Sequence, residues 1–281
     1  MADPRLTPAR GDIAAKFLKG QIEATRFVEG ETFVVTDAIA PVRQQPFAGA
    51  ELMTQALRGE CITIYDRNGE GWAWGQLAAD NYVGWLPDAA LATPAAAPTH
   101  RVSALRTFAF PGPSIKLPPI EALVLGSQLT ITREDDHFAV TSEGWFVPKP
   151  HVTRRDAIEP DYVAVAERFV GTPYLWGGKS CLGIDCSGLV QIALNAAGVA
   201  CPRDSDMQLA ALGRPVDPDE IRALRRGDLI FWKGHVAIVR DTDTIVHANA
   251  FHMATAIEPT AAATARIKAA GSEVLAIRRL V

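Results

Sequence analysis

From residue 57 to residue 87 apolar and polar positions alternate, in "LRGECITIYDRNGEGWAWGQLAADNYVGWLP". A period of two with β-branched and aromatic residues predicts short strands, and Asn68-Gly69 predicts a tight turn between two of them. The stretch "LGSQLTITREDDHFAVTSEGWFVP" (125–148) repeats the plan: a glycine, an alternating strand with Leu129 and Ile131, a polar turn, then Gly144-Trp145-Phe146-Val147-Pro148. The earlier stretch ends similarly, on Gly84-Trp85-Leu86-Pro87. "LATPAAAPTH" (91–100) lies between them as a linker. The expectation is two small all-β units, 1–95 with an N-terminal extension and 96–153, each closed so that short strands expose no edge.

From about residue 153 the pattern changes. "DYVAVAERFVG" spaces Val163, Ala166, Phe169 and Val170 as on one helix face, with Asp161 at its start and Gly171 as a stop. A second helix is expected over 187–197, ended by Gly198, and "SDMQ" (205–208) reads as a capping box opening a third. Strands follow in "DLIFWKGHVAIVRD", "TIVHANA" and "VLAIRRLV". Helices before an antiparallel sheet predict an α+β domain over 154–281.

Composition narrows the class. The chain has 281 residues, 48% of them hydrophobic and 21% charged, and a net charge of −4. That supports ordinary folded cores and offers no basic footprint for nucleic acid. No run of 18 apolar residues predicts a spanning helix. The first twenty residues show no apolar h-region, so a cytoplasmic location is expected. The four cysteines, Cys61, Cys181, Cys186 and Cys201, are then read as thiols.

Cys186 stands out in "YLWGGKSCLGIDCSGLVQIALNAAG" (174–198), where an apolar helix begins. A thiol in the first turn of a helix meets unpaired N–H groups and the positive end of the dipole, which favour a thiolate and would hold an oxyanion. By itself this residue could equally be a buried small hydrophobe. His235 and His247 add to it. If Asp241 centres a hairpin turn, the two are directly opposed on one sheet face, so one imidazole could serve Cys186 as base while the other orients it.

"YLWGG", "DCSGLV", "RGDLIFW…HVAIV" and "IVHA", in this order, resemble the NlpC family of papain-like cell-wall peptidases over roughly residues 160–281. The Gly-Trp repeats resemble the bacterial SH3-like barrels that precede this domain in some members. The implied architecture is an α+β papain-like catalytic domain (helices packed on an antiparallel sheet) preceded by two small all-β SH3-like barrels. The resemblance implies Cys186 as nucleophile, His235 as base and His247 as the third polar residue. It also implies γ-D-glutamyl-L-diamino acid endopeptidase activity on murein tri- or tetrapeptides with a free N-terminal L-Ala, suited to peptide recycling.

In that subfamily Tyr174, Asp185 and Ser187 would line the pocket, with Asp185 meeting the L-Ala ammonium. Glu60 is the candidate for a further acid from the first barrel, and Tyr82 for a pocket wall. No cofactor, metal, membrane or nucleic-acid partner is implied. Three other readings stay open: a related thiol amidase or acyltransferase, a non-catalytic wall-binding module, and a metal site of Cys181, Cys186, His235 and His247. Arg203 is expected at the surface and Asp228 at a turn.

Overall fold

A computed structural model describes residues 3–216 and 224–280. Its chain divides into two compact units, Met1–Asp156 and Ala157–Val281.

In the first unit seven antiparallel strands follow the spatial order Leu52–Leu57, Ile39–Arg43, Val83–Pro87, Trp72–Leu77, Cys61–Arg67, Glu31–Val35, Leu91–Ala92. Alternation in the sequence places Trp74 and Trp85 inward with Ile13, which the N-terminal extension contributes. The Arg10 guanidinium lies over both indole rings, 4.6 and 4.8 Å from their centroids. The Asn68 turn forms as expected, its side-chain oxygen accepting from the N–H groups of Glu70 and Trp72.

Residues 100–154 form three small sheets around Val102, Ala109, Leu123, Leu129 and Val147. The Gly-Trp repeat has a structural counterpart here. Strands Val83–Pro87 and Phe146–Pro148 each run into a 3₁₀ turn, Asp88–Ala90 or Lys149–His151, and then into another short strand.

The second unit holds four helices among the described residues: α1 (Tyr162–Glu167), α2 (Cys186–Ala196), α3 (Ser205–Ala211) and α4 (Thr260–Ala269). Its sheet comprises β1 (Arg214–Val216), β2 (Leu229–Trp232), β3 (His235–Val239), β4 (Thr244–Asn249), β5 (Ala254–Pro259) and β6 (Val274–Arg279). The spatial order is β1-β6-β2-β3-β4-β5, and every pairing is antiparallel. α2 packs against β3 and β4. Its sequence is apolar all round because all its residues except Asn195 are buried, as a helix enclosed on every side requires.

Local signals resolve case by case. Asp161 caps α1 by accepting from the N–H groups of Val163 and Ala164, and Gly198 follows α2 with φ +77°. Val170 is exposed, because α1 stops at Glu167 and the face it was expected to continue is already closed by Phe169. "SDMQ" is no capping box. Asp204 is the N-cap residue of α3, and the buried Gln208 amide instead donates to the carbonyls of Ser187 and Pro202.

Candidate active site

The segment before α2 folds tightly on itself. A two-strand hairpin pairs Lys179–Ser180 with Gly183–Ile184, and Gly178 packs so closely behind it that a Cβ there would lie 2.4 Å from the Gly183 carbonyl oxygen. Gly177 has φ +73°, a conformation that favours glycine, and its N–H donates to Asp185 Oδ2 at 2.8 Å. Asp185 is also the N-cap of α2, with Oδ1 accepting from Gly188 N at 2.6 Å. These contacts fix where the next residue, Cys186, begins the helix.

The Cys186 residue is 6% exposed. The helix start does not yield a low pKa, contrary to the sequence-based expectation. Burial, and next the charge of Asp185, push the thiol up to about 12, against the opposing pull of backbone hydrogen bonds from Val236 and Ser187. The resting sulfur is therefore a thiol. The Val236 N–H bond places it one residue along β3 from His235.

His235 Nε2 and His247 Nδ1 are 2.8 Å apart, with ring centroids 5.1 Å apart. The expected pair is thus brought together, though not by the expected register. β3 and β4 pair Ile238 with Val246 and Val239 with Ile245, so Ala237, not His235, is the register mate of His247. The turn is centred on Thr242, one residue beyond the assumed Asp241, and Asp241 Oδ1 fills it by accepting from the N–H groups of Asp243 and Thr244. The two histidines meet on the diagonal, which keeps them on one face and within side-chain reach. Burial lowers both to about 3, His235 further by proximity to His247, and His247 by the charge of Arg266. Both imidazoles are neutral at ordinary pH.

Other expected site residues divide. Tyr174 is half-buried, its phenol pushed well above the usual value by burial and then by its neighbours Cys186 and Asp185, so it lies close to the thiol. Asp185 and Ser187 are buried and face Arg203. Arg203 Nη2 donates to Asp185 Oδ2 at 2.7 Å, and Nη1 donates to Asp185 Oδ1 and to Ser187 Oγ, each at 2.9 Å. The N–H groups of Gly177 and Gly188 and the Ser187 hydroxyl also donate to Asp185, so its carboxylate is held from several sides. Arg203, expected at the surface, is 1% exposed because it neutralises that carboxylate. In the N-terminal unit, Glu60 Oε2 accepts from Leu57 N at 3.0 Å and closes its own turn, while Tyr82, just before strand Val83–Pro87, is 1% exposed. Asp228 serves its turn by accepting from Arg225 N, and it also holds Arg279 through both carboxylate oxygens.

Two residues escaped the sequence reading. Glu258 Oε1 lies 2.7 Å from His247 Nε2, and Arg266 donates to the same oxygen. A carboxylate on the strand next to the histidine strand was the available signal, but its register was not. Among the described residues, His247, His252 and Glu258 form the one group whose metal-ligating atoms lie within 4.8 Å of one another. The guanidinium of Arg266 on Glu258 opposes a cation there, and no cysteine belongs to that group.

A thiol at the tip of a buried helix, set against histidines on an antiparallel sheet, defines a papain-like α+β domain. Residues 171–265 match the NlpC/P60 family and residues 42–91 the bacterial dipeptidyl-peptidase Sh3 domain, so the chain carries an NlpC/P60-type domain that follows an SH3-type domain along the sequence. A dipeptidyl-peptidase 6 of Lysinibacillus sphaericus is 39% identical over 107 residues, 37% of this chain and 38% of the relative. A γ-D-glutamyl-L-lysine dipeptidyl-peptidase of Bacillus cereus is 27% identical over 70% of this chain and 67% of its own length. One of Bacillus subtilis is 29% identical over 64% of each. The chain thus spans 38% of the first relative and about two thirds of the others. The crystal structure of an NlpC/P60 family protein from Bacillus cereus shares the fold, with a TM-score of 0.75 at 22% identity over 89% of this chain and 99% of that one.

Proposed function

We propose that this protein is a cysteine peptidase that hydrolyses the γ-D-Glu–L-diamino acid bond of murein peptides bearing a free N-terminal L-Ala. The observation that carries the reading is the Cys186 thiol beside β3, one residue from a histidine already bonded to a second histidine. The names of the relatives agree, since a dipeptidyl-peptidase releases two residues from a free amino terminus.

In this mechanism Cys186 Sγ attacks the γ-D-Glu amide carbonyl while His235 Nδ1 takes the thiol proton. Attack and proton transfer are coupled, because a neutral thiol and a neutral imidazole are the resting forms. Backbone N–H groups at the start of α2 hold the oxyanion. The tetrahedral adduct collapses to a thioester as His235 gives its proton to the leaving amine of the diamino acid. Water, deprotonated by His235, then attacks the thioester, releasing L-Ala-γ-D-Glu and restoring the thiol.

Asp185, anchored at the start of α2 by Arg203, is the acid that meets the L-Ala ammonium, with Ser187 beside it. Tyr174 is the pocket residue near the sulfur. Residues 100–154 are read as a second SH3-like barrel on the shared strand–3₁₀–strand order, giving boundaries of 1–95, 96–153 and 154–281. Selectivity for a free amine fits released peptides over intact wall, hence recycling in the cytoplasm.

The test is mass spectrometry of products from L-Ala-γ-D-Glu-diaminopimelate and from its N-acetylated form. Release of L-Ala-γ-D-Glu from the free peptide alone is expected. Equal cleavage of both would remove the free-amine requirement, and transfer of the acyl group to an added amine instead of water would make the protein an acyltransferase.

A further inference from the structure

The row of polar side chains that begins at His235 runs across three adjacent strands. His235 lies on β3, His247 on β4 and Glu258 on β5, where His247 pairs with Ala256, so Glu258 is again the diagonal neighbour on the same face. Arg266 of α4 ends the row on Glu258 Oε1, with its guanidinium 4.1 Å from the centroid of the Phe251 ring. Nothing in the mechanism above uses Glu258 or Arg266.

We propose that Glu258, held by Arg266, is a positioning residue that fixes the tautomers of both histidines and so leaves Nδ1 of His235 unprotonated to serve Cys186. The proposal rests on reading Cys186 and His235 as nucleophile and base. An ion-paired carboxylate only accepts hydrogen bonds, so His247 donates from Nε2. A neutral imidazole carries one proton, so Nδ1 of His247 is a lone pair and accepts from Nε2 of His235. The single proton of His235 is thereby committed, and its Nδ1 is bare. In the opposite arrangement His247 would carry its proton on Nδ1 and His235 on its own Nδ1, and the base would be blocked.

The other groups around the row do not compete. His252 Nδ1 donates to Asn249 Oδ1 at 3.0 Å and stands 4.0 Å from Glu258 Oε1, while Cys186 and Tyr174 lie toward the His235 end. Charge also travels along the row. Glu258 favours the protonated state of His235, the form that exists between thiol attack and departure of the amine, and the charge of Arg266 opposes it more strongly, so the pair acts through the tautomer and not through net charge.

The direct measurement is ¹⁵N NMR of the imidazoles in the resting protein, in which both His235 and His247 should be Nε2–H tautomers. Glu258→Ala should slow iodoacetamide alkylation of Cys186 and lower kcat by about tenfold or more, part of what a placed general base supplies, with KM little changed. Glu258→Gln keeps an acceptor without the charge, and should keep the tautomers and recover part of the rate. An Nδ1–H tautomer at His247, or alkylation at the native rate across pH in folded Glu258→Ala, would overturn the proposal. Should Glu258→Ala not fold, the native tautomers and the Glu258→Gln rates decide it. Alkylation and tautomers need no peptide, so they stand apart from any failure of the substrate assignment.

Discussion

Two acid–arginine pairs support the thiol and its histidines, Asp185–Arg203 at the start of α2 and Glu258–Arg266 behind the imidazoles. The first is closed. Both Asp185 oxygens accept from Arg203 and from backbone N–H groups, and the arginine also holds Ser187 Oγ and the Gly178 carbonyl. Such a pair cannot exchange partners without exposing a buried charge, so it makes a hinge-free anchor for the start of α2. The second pair is open at one end. Its carboxylate bonds an imidazole whose own far nitrogen bonds another, so a change of proton position can propagate along it. Equal chemistry at the level of residue type thus gives a fixed support in one place and a proton path in the other. The difference lies in whether the carboxylate's other donor is a backbone amide or an imidazole.

The comparison can be broken first at the residue between the two systems. Cys186→Ala removes the nucleophile alone, and turnover should fall by about four orders of magnitude or more while thermal melting stays native. Retained peptide cleavage would leave both pairs without a catalytic purpose.

Next in size is the closed pair. Arg203→Met leaves Asp185 buried without its counter-charge, which costs about 3–5 kcal/mol in urea unfolding. The same change at Arg266 should cost less stability and more rate, because the Arg266 side chain is 26% exposed against 1% for Arg203, and Glu258 keeps His247 as a donor. Equal stability losses at both positions would erase the distinction between support and proton path.

The smallest effect is in pH. The unfolded chain binds protons at its histidines below about 6.5, whereas the folded His247 does so only near 3. Stability should therefore fall as pH drops from about 6.5 toward 3, with a slope of up to ~1.4 kcal/mol per unit for one buried histidine. For the same reason the acid limb of kcat/KM should lie well below 6.5, because His235 stays a base there. A limb at the ordinary histidine value would mean that water reaches the row.

Much of the site was legible in order along the chain. A helix-start cysteine framed by glycines, and two histidines separated by one hairpin, are local patterns, and the structure brings both features to one place. The β alternation likewise marked the strands that bury Trp74 and Trp85. What failed was register and partnership. The hairpin between the histidines is set by an aspartate side chain filling its own turn, which shifts the pairing by two residues. Gln208 reads locally as a cap and is spent on carbonyls twenty-one and six residues away.

The sequence alone marked the Cys186 helix, the two histidine strands and the Gly-Trp strands, but not α4 or β5, because propensity, period and helix-end effects act over a few neighbouring positions. Tertiary structure decided whom each charge faces: Arg203 on Asp185, Arg266 on Glu258, Glu258 on His247. Those choices depend on desolvation, and desolvation belongs to the packed fold, where residues distant along the chain exclude water together. Burial is also why Cys186 rests as a thiol despite its place at a helix start.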